Sequence, residues 1–245
     1  MSKISNKNKM EVKCYMIYIT GDKHAQFDSV YSFCEEQKTS LEDVMVILGD
    51  AGINYFADSR DYSLKSNLSK CNITLFCVHG NHEERPENIS TYITKEFYGG
   101  LVYYEQEFPN VLFAKDGEIY NFNGKAVLVI GGAFSVDKYY MLARGYEWYE
   151  SEQPTEEIKK KIKSVLEKRD NKIHVILSHT CAYKYLPYEV FLPGINQSTV
   201  DQTTEKFLDE IEDTTTYDKW YCGHYHTDKT VDKVRFMFHH IILFD

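Results

Sequence analysis

Six short apolar segments, each followed by a polar turn, constrain the fold of this chain more than any other feature. They are three to six residues long and lie at residues 15–20, 44–48, 73–78, 126–130, 173–177 and 220–222. Segments this short and rich in Val and Ile suit buried β-strands, because helices generally need at least about ten residues. Between the first three segments, residues 28–38 and 59–70 have helical features. This alternation predicts β-α-β units with parallel strands.

The clearest helix is predicted for residues 155–168, directly after Pro154. From Ile158 onward, apolar side chains recur at i, i+4, i+7 and i+8, which places them on one face of a helix. Two glutamates open the segment and lysines dominate its later part, as the helix dipole favours. The pattern is typical of an amphipathic surface helix.

A β-hairpin is predicted in the middle of the chain. Residues 111–114 and 118–122 have strand character and are separated by Lys115-Asp116-Gly117. Asn123-Gly124 is a strong turn signal before the next strand. We therefore expect antiparallel pairing in the middle of the sheet.

The composition excludes several classes of protein. Of the 245 residues, 43% are hydrophobic and only 5 are Pro, which is typical of a globular chain with a buried core and not of a disordered or fibrous one. No apolar run approaches the roughly 18 residues of a membrane-spanning helix. Neither a linker nor a repeat divides the chain, so a single domain over residues 1–245 is predicted.

The charge balance and the cysteines bear on partners and location. Lys and Arg number 28 and Asp and Glu 37, so the formal net charge is −9 and a broad basic face for duplex nucleic acid is not expected. The six cysteines include no CxxC pair, and no small-residue cleavage site follows the first apolar run. We therefore expect a cytoplasmic protein with reduced thiols and no membrane attachment. The oligomeric state stays open.

Polar motifs follow five of the apolar segments, at the points where the strands are predicted to end. They are Gly21-Asp22-Lys23-His24, Gly49-Asp50, Gly80-Asn81-His82-Glu83, Ser178-His179 and Gly223-His224-Tyr225-His226. Ligands of open α/β sheets bind at the carboxyl ends of the strands. Neutral imidazoles together with carboxylates and an Asn carbonyl suit borderline or hard divalent cations. The sequence therefore predicts a metal site, and a site for two cations is the most economical interpretation.

In order and type, these motifs resemble those of the calcineurin-like metallophosphoesterases, which are D-x-H, G-D, G-N-H-D/E, an isolated H and G-H-x-H. The matching motifs span residues 22–226, which is most of the chain. The resemblance implies an α/β fold, a four-layered α/β/β/α sandwich of two mixed β-sheets flanked by helices. It also implies a metal-dependent hydrolase of phosphate mono- or diesters.

The resemblance further implies a role for each motif residue. One cation would bind Asp22, His24 and His226, the other Asn81, His179 and His224, and Asp50 would bridge the two. A hydroxide between the cations would be the nucleophile. His82 would face the phosphate and stabilise the transition state or protonate the leaving oxygen. The two divalent ions are expected to be Mn or Fe, with Zn or Ni as alternatives.

The second and third motifs depart from the phosphoprotein phosphatase branch of this family. That branch has G-D-x-x-D-R-G, whereas Ile53 occupies the position of its second aspartate and no arginine follows at once. His79 stands before Gly80, where those phosphatases have an arginine. A serine/threonine-type protein phosphatase is therefore an alternative hypothesis only. A non-catalytic, metal-binding interaction scaffold is the other, although every ligand position and His82 are filled.

Substrate contacts are the least determined part of the site. Residues 134–154 are too aromatic for an ordinary loop, and they either cover the sheet or cap the metal site. In the second case Arg144 or Lys138 would meet the phosphate, and His79 could also reach the substrate. A long loop over residues 187–197, just after His179, is expected to shape specificity. The expected partner is a small phosphorylated substrate, with nucleotides among the candidates.

Overall fold

The computed structural model describes residues 15–245, which form thirteen β-strands and five α-helices. The strands are β1 Ile17–Thr20, β2 Val44–Ile47, β3 Thr74–Cys77, β4 Ile93–Phe97, β5 Gly100–Tyr104, β6 Val111–Ala114, β7 Ile119–Phe122, β8 Lys125–Ile130, β9 Val175–Ser178, β10 Lys219–Cys222, β11 Lys229–Val231, β12 Val234–Phe236 and β13 Ile242–Leu243. The helices are α1 Asp28–Gln37, α2 Ser59–Leu68, α3 Lys138–Arg144, α4 Glu156–Glu167 and α5 Thr203–Thr214. The predicted strands and helices are confirmed to within two residues at each end. Cys14 and the lysine-containing stretch before it lie outside the described residues.

The strands form two mixed sheets. The first has the order β13-β1-β2-β3-β6-β5-β4 and the second the order β11-β12-β10-β9-β8-β7. In the first sheet β1, β2, β3 and β6 are parallel, and the other strands join through antiparallel pairs. In the second sheet β12, β10, β9 and β8 are parallel, while β11 and β7 pair antiparallel at the edges. The antiparallel pairs thus lie towards the sheet edges and not in the middle, contrary to the prediction.

Alternating side chains divide the first sheet between two cores. Val44 and Val46 of β2 face the core between the two sheets, whereas Met45 and Ile47 face α1 and α2. This alternation arises because successive side chains of a strand point to opposite faces. All four side chains are buried, so helices cover the outer face of this sheet.

The second sheet is divided in the same way. Val127 and Val129 of β8 face the core between the sheets, and Leu128 and Ile130 pack against α4 and α5. The layers are therefore helices, sheet, sheet and helices. The predicted four-layered α/β/β/α sandwich is confirmed.

Helix α4 has the ends that its sequence predicts. Thr155 is the N-cap and its side chain accepts a hydrogen bond from the Ile158 N–H at 3.3 Å, while Lys168 is the C-cap. Ile162 and Leu166 are buried against the second sheet. The prediction of an amphipathic surface helix over residues 155–168 is confirmed.

The predicted hairpin between residues 111–114 and 118–122 is wrong. Strand β6 pairs with β3 and β5 in the first sheet, whereas β7 pairs with β8 in the second. The connection turns at Gly117, with φ +74°, and its N–H donates to the Val129 carbonyl at 2.9 Å. Strand β6 is buried along its whole length because it lies inside a sheet, so its neighbour in sequence crosses to the other sheet. The turn at Asn123-Gly124 does join two antiparallel strands, β7 and β8.

Over residues 15–245, none of the helices is both long and apolar enough to cross a membrane. The five cysteines of this range are all buried and free.

Candidate metal centre

The five polar motifs meet at one edge of the sandwich, beyond the carboxyl ends of β1, β2, β3, β9 and β10. Parallel strands bring these ends together within each sheet, and hydrogen bonds join the two sheets there. The His179 Nδ1–H donates to the Leu48 carbonyl at 2.8 Å, and the His224 N–H donates to Asp22 Oδ1 at 2.9 Å. The structure therefore assembles the predicted ligands from both sheets.

Asp22, His24 and His226 form the first cluster. The Nε2 atoms of the two histidines lie 2.9 Å apart, and Asp22 Oδ2 lies 3.3 Å from His226 Nε2 and 3.9 Å from His24 Nε2. Asp22 is only 3% exposed, and within the described part of the chain its Oδ2 atom faces these two imidazoles. A buried carboxylate oxygen facing two imidazole nitrogens fits a divalent cation.

A second cluster surrounds His179. Because a carbonyl can only accept, the Nδ1 atom that faces the Leu48 carbonyl carries a proton, so in the neutral ring Nε2 presents a lone pair. That Nε2 atom lies 2.8 Å from Asn81 Oδ1 and 3.6 Å from Asp50 Oδ2. The Asn81 amide is oriented by Ser135, whose Oγ accepts from Nδ2 at 2.8 Å. Three electron-pair donors thus converge with no hydrogen between them, an arrangement that a cation would stabilise.

Asp50 lies between the two clusters and is 2% exposed. Its Oδ1 atom accepts the N–H groups of Asn81 and His82 at 2.9 and 3.0 Å. Candidate ligand atoms of Asp22, Asp50 and His179 lie within 4.8 Å of one another, as do those of the first cluster. Asp22 therefore contributes to both groups, whereas the resemblance implies Asp50 as the bridging ligand.

The electrostatics favour the ligand-competent protonation state at four candidate ligands, whereas the contact with Asp22 raises the pKa of His226. Burial by itself raises the pKa of Asp22 and Asp50, but nearby histidines outweigh it and hold both pKa values below the usual range. Burial lowers the pKa of His224 to about 3 and also lowers that of His24. Near pH 7 these carboxylates are charged and these imidazoles neutral, which are the forms that bind metal.

Four predicted ligands have backbone conformations that non-glycine residues rarely adopt. The φ angles are 44° at His24, 43° at Asp50, 67° at His224 and 47° at His226. Each such residue costs on the order of 1 kcal/mol or more, and strain of this kind clusters at functional sites. The rest of the fold therefore maintains these four positions against their local preference.

Glycines precede several ligands because no side chain fits at those positions. A Cβ atom on Gly80 would lie 2.0 Å from Asp50 Oδ1, and one on Gly223 would lie 2.3 Å from Asp22 Oδ1. The close approach lets neighbouring loops pack directly against the two carboxylates.

Gly80→Ala is expected to abolish binding of divalent metal, because the added methyl group would displace the Asp50 carboxylate. Metal content per chain after equilibration with Mn²⁺ and gel filtration tests this. Gly145→Ala is the matched control, since a Cβ there meets nothing within 4 Å and the positive φ of +69° costs only about 1 kcal/mol. A Gly80→Ala protein with full metal content would contradict the assigned cluster.

Adding Mn²⁺ to metal-free protein is expected to raise the melting temperature by about 5–10 °C at a concentration near 100 Kd. The physical reason is that the cation binds only the folded chain and neutralises two buried carboxylates. Scanning calorimetry with and without a chelator measures the shift. NaCl of the same ionic strength is the control, and an equal shift with NaCl would contradict a specific site.

His82 lies beside the ligand clusters and lines a cavity of about 350 Å³ together with His24, Asp50 and Asn81. Its side chain is 24% exposed, and its Nε2 atom lies 3.9 Å from Asp137 Oδ1. This position lets the imidazole reach a molecule in the cavity.

The other predicted substrate contacts lie elsewhere. The Lys138 ammonium stacks over the Trp148 ring at 3.6 Å, and the Arg144 guanidinium lies 5.3 Å from the Tyr140 ring centre. His79 is 2% exposed, and burial holds its pKa well below the usual value. Among the described residues that line the cavity, Lys138, Arg144 and His79 are absent.

Of the aromatic segment 134–154, only its first part borders the cavity, through Phe134, Val136 and Asp137. The remainder forms α3 and a 3₁₀ turn at Glu150–Glu152. The capping role stays a prediction, and the residues of this segment that border the cavity are those just before α3.

Sequence reasoning missed two carboxylates that line the cavity, Asp137 and Glu205. Glu205 is 4% exposed and accepts a hydrogen bond from the Thr180 hydroxyl at 2.9 Å, and burial raises its pKa to about 7. Glu205 could have been detected in the sequence, because it is an acidic residue on the otherwise uncharged face of α5 that is buried. Asp137 carries no comparable signal in the sequence.

Comparisons with known proteins found similar solved structures and one matching family. The chain is similar in structure to TT1561 of Thermus thermophilus, at 14% sequence identity and a TM-score of 0.49, over 91% of this chain and 88% of that one. It is also similar to a protein serine/threonine phosphatase from Saccharomyces cerevisiae with similarity to human phosphatase PP5, at 17% identity and a TM-score of 0.33, over 91% of this chain and 67% of that one. No curated protein matches the chain.

The family described as calcineurin-like phosphoesterase matches residues 15–228. Members of this family generally hydrolyse phosphate esters and bind divalent metals, and both candidate ligand clusters fall within the matched range. Because the match covers most of the chain and all five motifs, the chain belongs to the calcineurin-like phosphoesterase family.

Proposed function

We propose that this protein is a hydrolase that uses two divalent cations to cleave a mono- or diester of phosphoric acid in a small substrate. The observation that supports it best is the convergence of lone pairs around His179 Nε2, where Asn81 Oδ1 and Asp50 Oδ2 meet without an intervening hydrogen. With the neutral imidazole ring, such an arrangement is unfavourable unless a metal cation occupies it.

The proposed ligands are divided between two cations. Asp22, His24 and His226 would hold one, Asn81, His179 and His224 the other, and Asp50 would lie between them. When bound, a pair of divalent ions supplies a water molecule of lowered pKa and neutralises charge on the phosphoryl oxygens.

The remaining work belongs to the protein's own side chains. Asp50 Oδ1 binds the backbone N–H of His82 and so orients the third motif. The His82 side chain would then donate a proton to the leaving oxygen or stabilise charge on the phosphoryl group. Ser135 holds the amide of Asn81 with its oxygen directed at the cluster.

Hydrolysis of 4-nitrophenyl phosphate and of bis(4-nitrophenyl) phosphate tests this proposal. Metal-stripped protein is resupplied with Mn²⁺, Fe²⁺, Zn²⁺, Ni²⁺ or Mg²⁺, with a chelator as control. We expect metal-dependent turnover, and the ratio of the two rates identifies the preferred ester class. Stoichiometric metal binding without turnover of either ester would favour the scaffold hypothesis, and turnover confined to a phosphoserine peptide would favour the protein phosphatase hypothesis.

A further inference from the structure

We infer that the cavity beside the metal ligands is a binding site for an apolar alcohol group, so that the substrate is a phosphate ester of an alkyl or aryl alcohol. This inference rests on the proposed function and specifies its substrate class. The cavity joins two chemically different ends. One end consists of the ligand histidines and carboxylates, and the other is lined mainly by hydrocarbon, with Gln197 and Gln202 as its amide side chains.

The hydrocarbon end comes mainly from the segment between β9 and α5. Its apolar side chains in the cavity wall are Leu186, Val190, Phe191, Leu192, Ile195 and Val200. The segment directly follows His179, which explains why its wall continues from the ligand cluster. A cavity of about 350 Å³ is large enough for one phosphate group with a short hydrocarbon chain or a single ring.

The wall is anchored to the protein and to a ligand motif. Leu186 is 8% exposed and belongs to the core between the second sheet and its helices. The Phe191 ring stacks on Tyr225, with centroids 6.1 Å apart and planes at 13°, and Tyr225 stands between His224 and His226 in sequence. The wall therefore has a defined position relative to the candidate cations.

Leu192 and Val190, in contrast, are 63% and 38% exposed. Leucine and valine side chains at the mouth of a cavity gain free energy when a hydrocarbon covers them. The core does not need these two side chains, because Leu186 already packs into it from the same segment.

The charged groups of the cavity favour the same substrate class. None of the described Lys or Arg side chains lines the cavity, and away from the ligand clusters its carboxyl groups are those of Asp137 and Glu205. A second phosphate of a nucleoside di- or triphosphate, or an acidic side chain of a phosphopeptide, would find no cationic side chain to pair with there, and an unpaired charge is costly to bury. A substrate with one phosphoryl group at the cations and a neutral, apolar alcohol group beyond it would complement both ends of the cavity.

Binding of n-alkylphosphonates, from methyl to hexyl, tests the inference without requiring turnover. Isothermal titration calorimetry with Mn²⁺-loaded protein is expected to show an affinity that rises about fourfold per added methylene group. An affinity that does not change from methyl to hexyl would overturn the inference.

Leu192→Ser is expected to weaken hexylphosphonate binding by about five- to tenfold. Leu41→Ser is the matched control, because Leu41 is 54% exposed, precedes β2 at the opposite edge of the sheet and does not line the cavity. Phe191→Ala provides a second variant in the wall. Equal losses in the Leu41 and Leu192 variants would overturn the inference.

Hydrolysis of hexyl phosphate, followed as phosphate release, separates the inference from the proposed function. A rising affinity series without metal-dependent release would contradict the proposed function and support the binding site. Metal-dependent release with an unchanged affinity series would support the function and overturn the apolar site.

Discussion

Asp50→Ala is expected to remove bound metal and to lower phosphoester hydrolysis by more than about 10³-fold, the effect of losing several kcal/mol of charge stabilisation. Asp50 is buried between the two ligand clusters, 3.6 Å from His179 Nε2, so its carboxylate faces the position proposed for a cation. The substitution also leaves the N–H groups of Asn81 and His82 without their acceptor. Metal content and the rate with 4-nitrophenyl phosphate measure the two effects.

Asp50→Asn separates charge from structure, because the amide oxygen can still accept the two N–H groups. We expect this variant to fold and yet to bind metal weakly. Asp218→Ala is the control, since Asp218 is an exposed acid before β10. Wild-type metal content and rate in Asp50→Ala would refute the two-cation assignment.

His82→Ala is expected to leave metal content unchanged and to lower turnover by about 10²- to 10⁴-fold, the usual contribution of a positioned acid–base group. The His82 side chain lines the cavity. The Asp50 carboxylate accepts a hydrogen bond from the backbone N–H of residue 82, and alanine retains that group. The measurement compares kcat for phenyl and 4-nitrophenyl phosphate. The loss should be larger for phenyl phosphate than for 4-nitrophenyl phosphate, because departure of the phenyl leaving oxygen depends more strongly on protonation.

His240→Ala serves as the control for this experiment, since the His240 side chain is 71% exposed and outside the cavity. Equal losses for the two esters would assign His82 to charge stabilisation instead of proton donation. Full turnover with both esters would place the proton donor elsewhere.

The family resemblance implied the layered architecture, whereas individual strands and helices were predictable because buried strands and amphipathic helices have local signatures. The run at residues 44–48 and the helical pattern at 155–168 both depend on the spacing of side chains along one segment. Strands such as β4 and β11 were missed, since they are short, partly exposed and polar on at least one side.

The partners of a strand were harder to predict than its existence. Strand β6 and strand β7 are separated by only four residues, yet they belong to different sheets. Short separation favours a hairpin locally. Strand β6 joins the sheet that can bury it along its whole length. That sheet is formed by segments far away in sequence, such as β3.

Motifs that follow recognisable strands were enough to predict the fold class, the family and the seven candidate ligands from the sequence. The tertiary structure was needed to find which groups line the cavity beside those ligands. It placed Asp137 and Glu205 there and directed Lys138 towards Trp148. It also placed apolar side chains of the segment after His179 along one wall of the cavity. These outcomes depend on packing between segments far apart in the chain, and such packing has no periodic signature within any one of them.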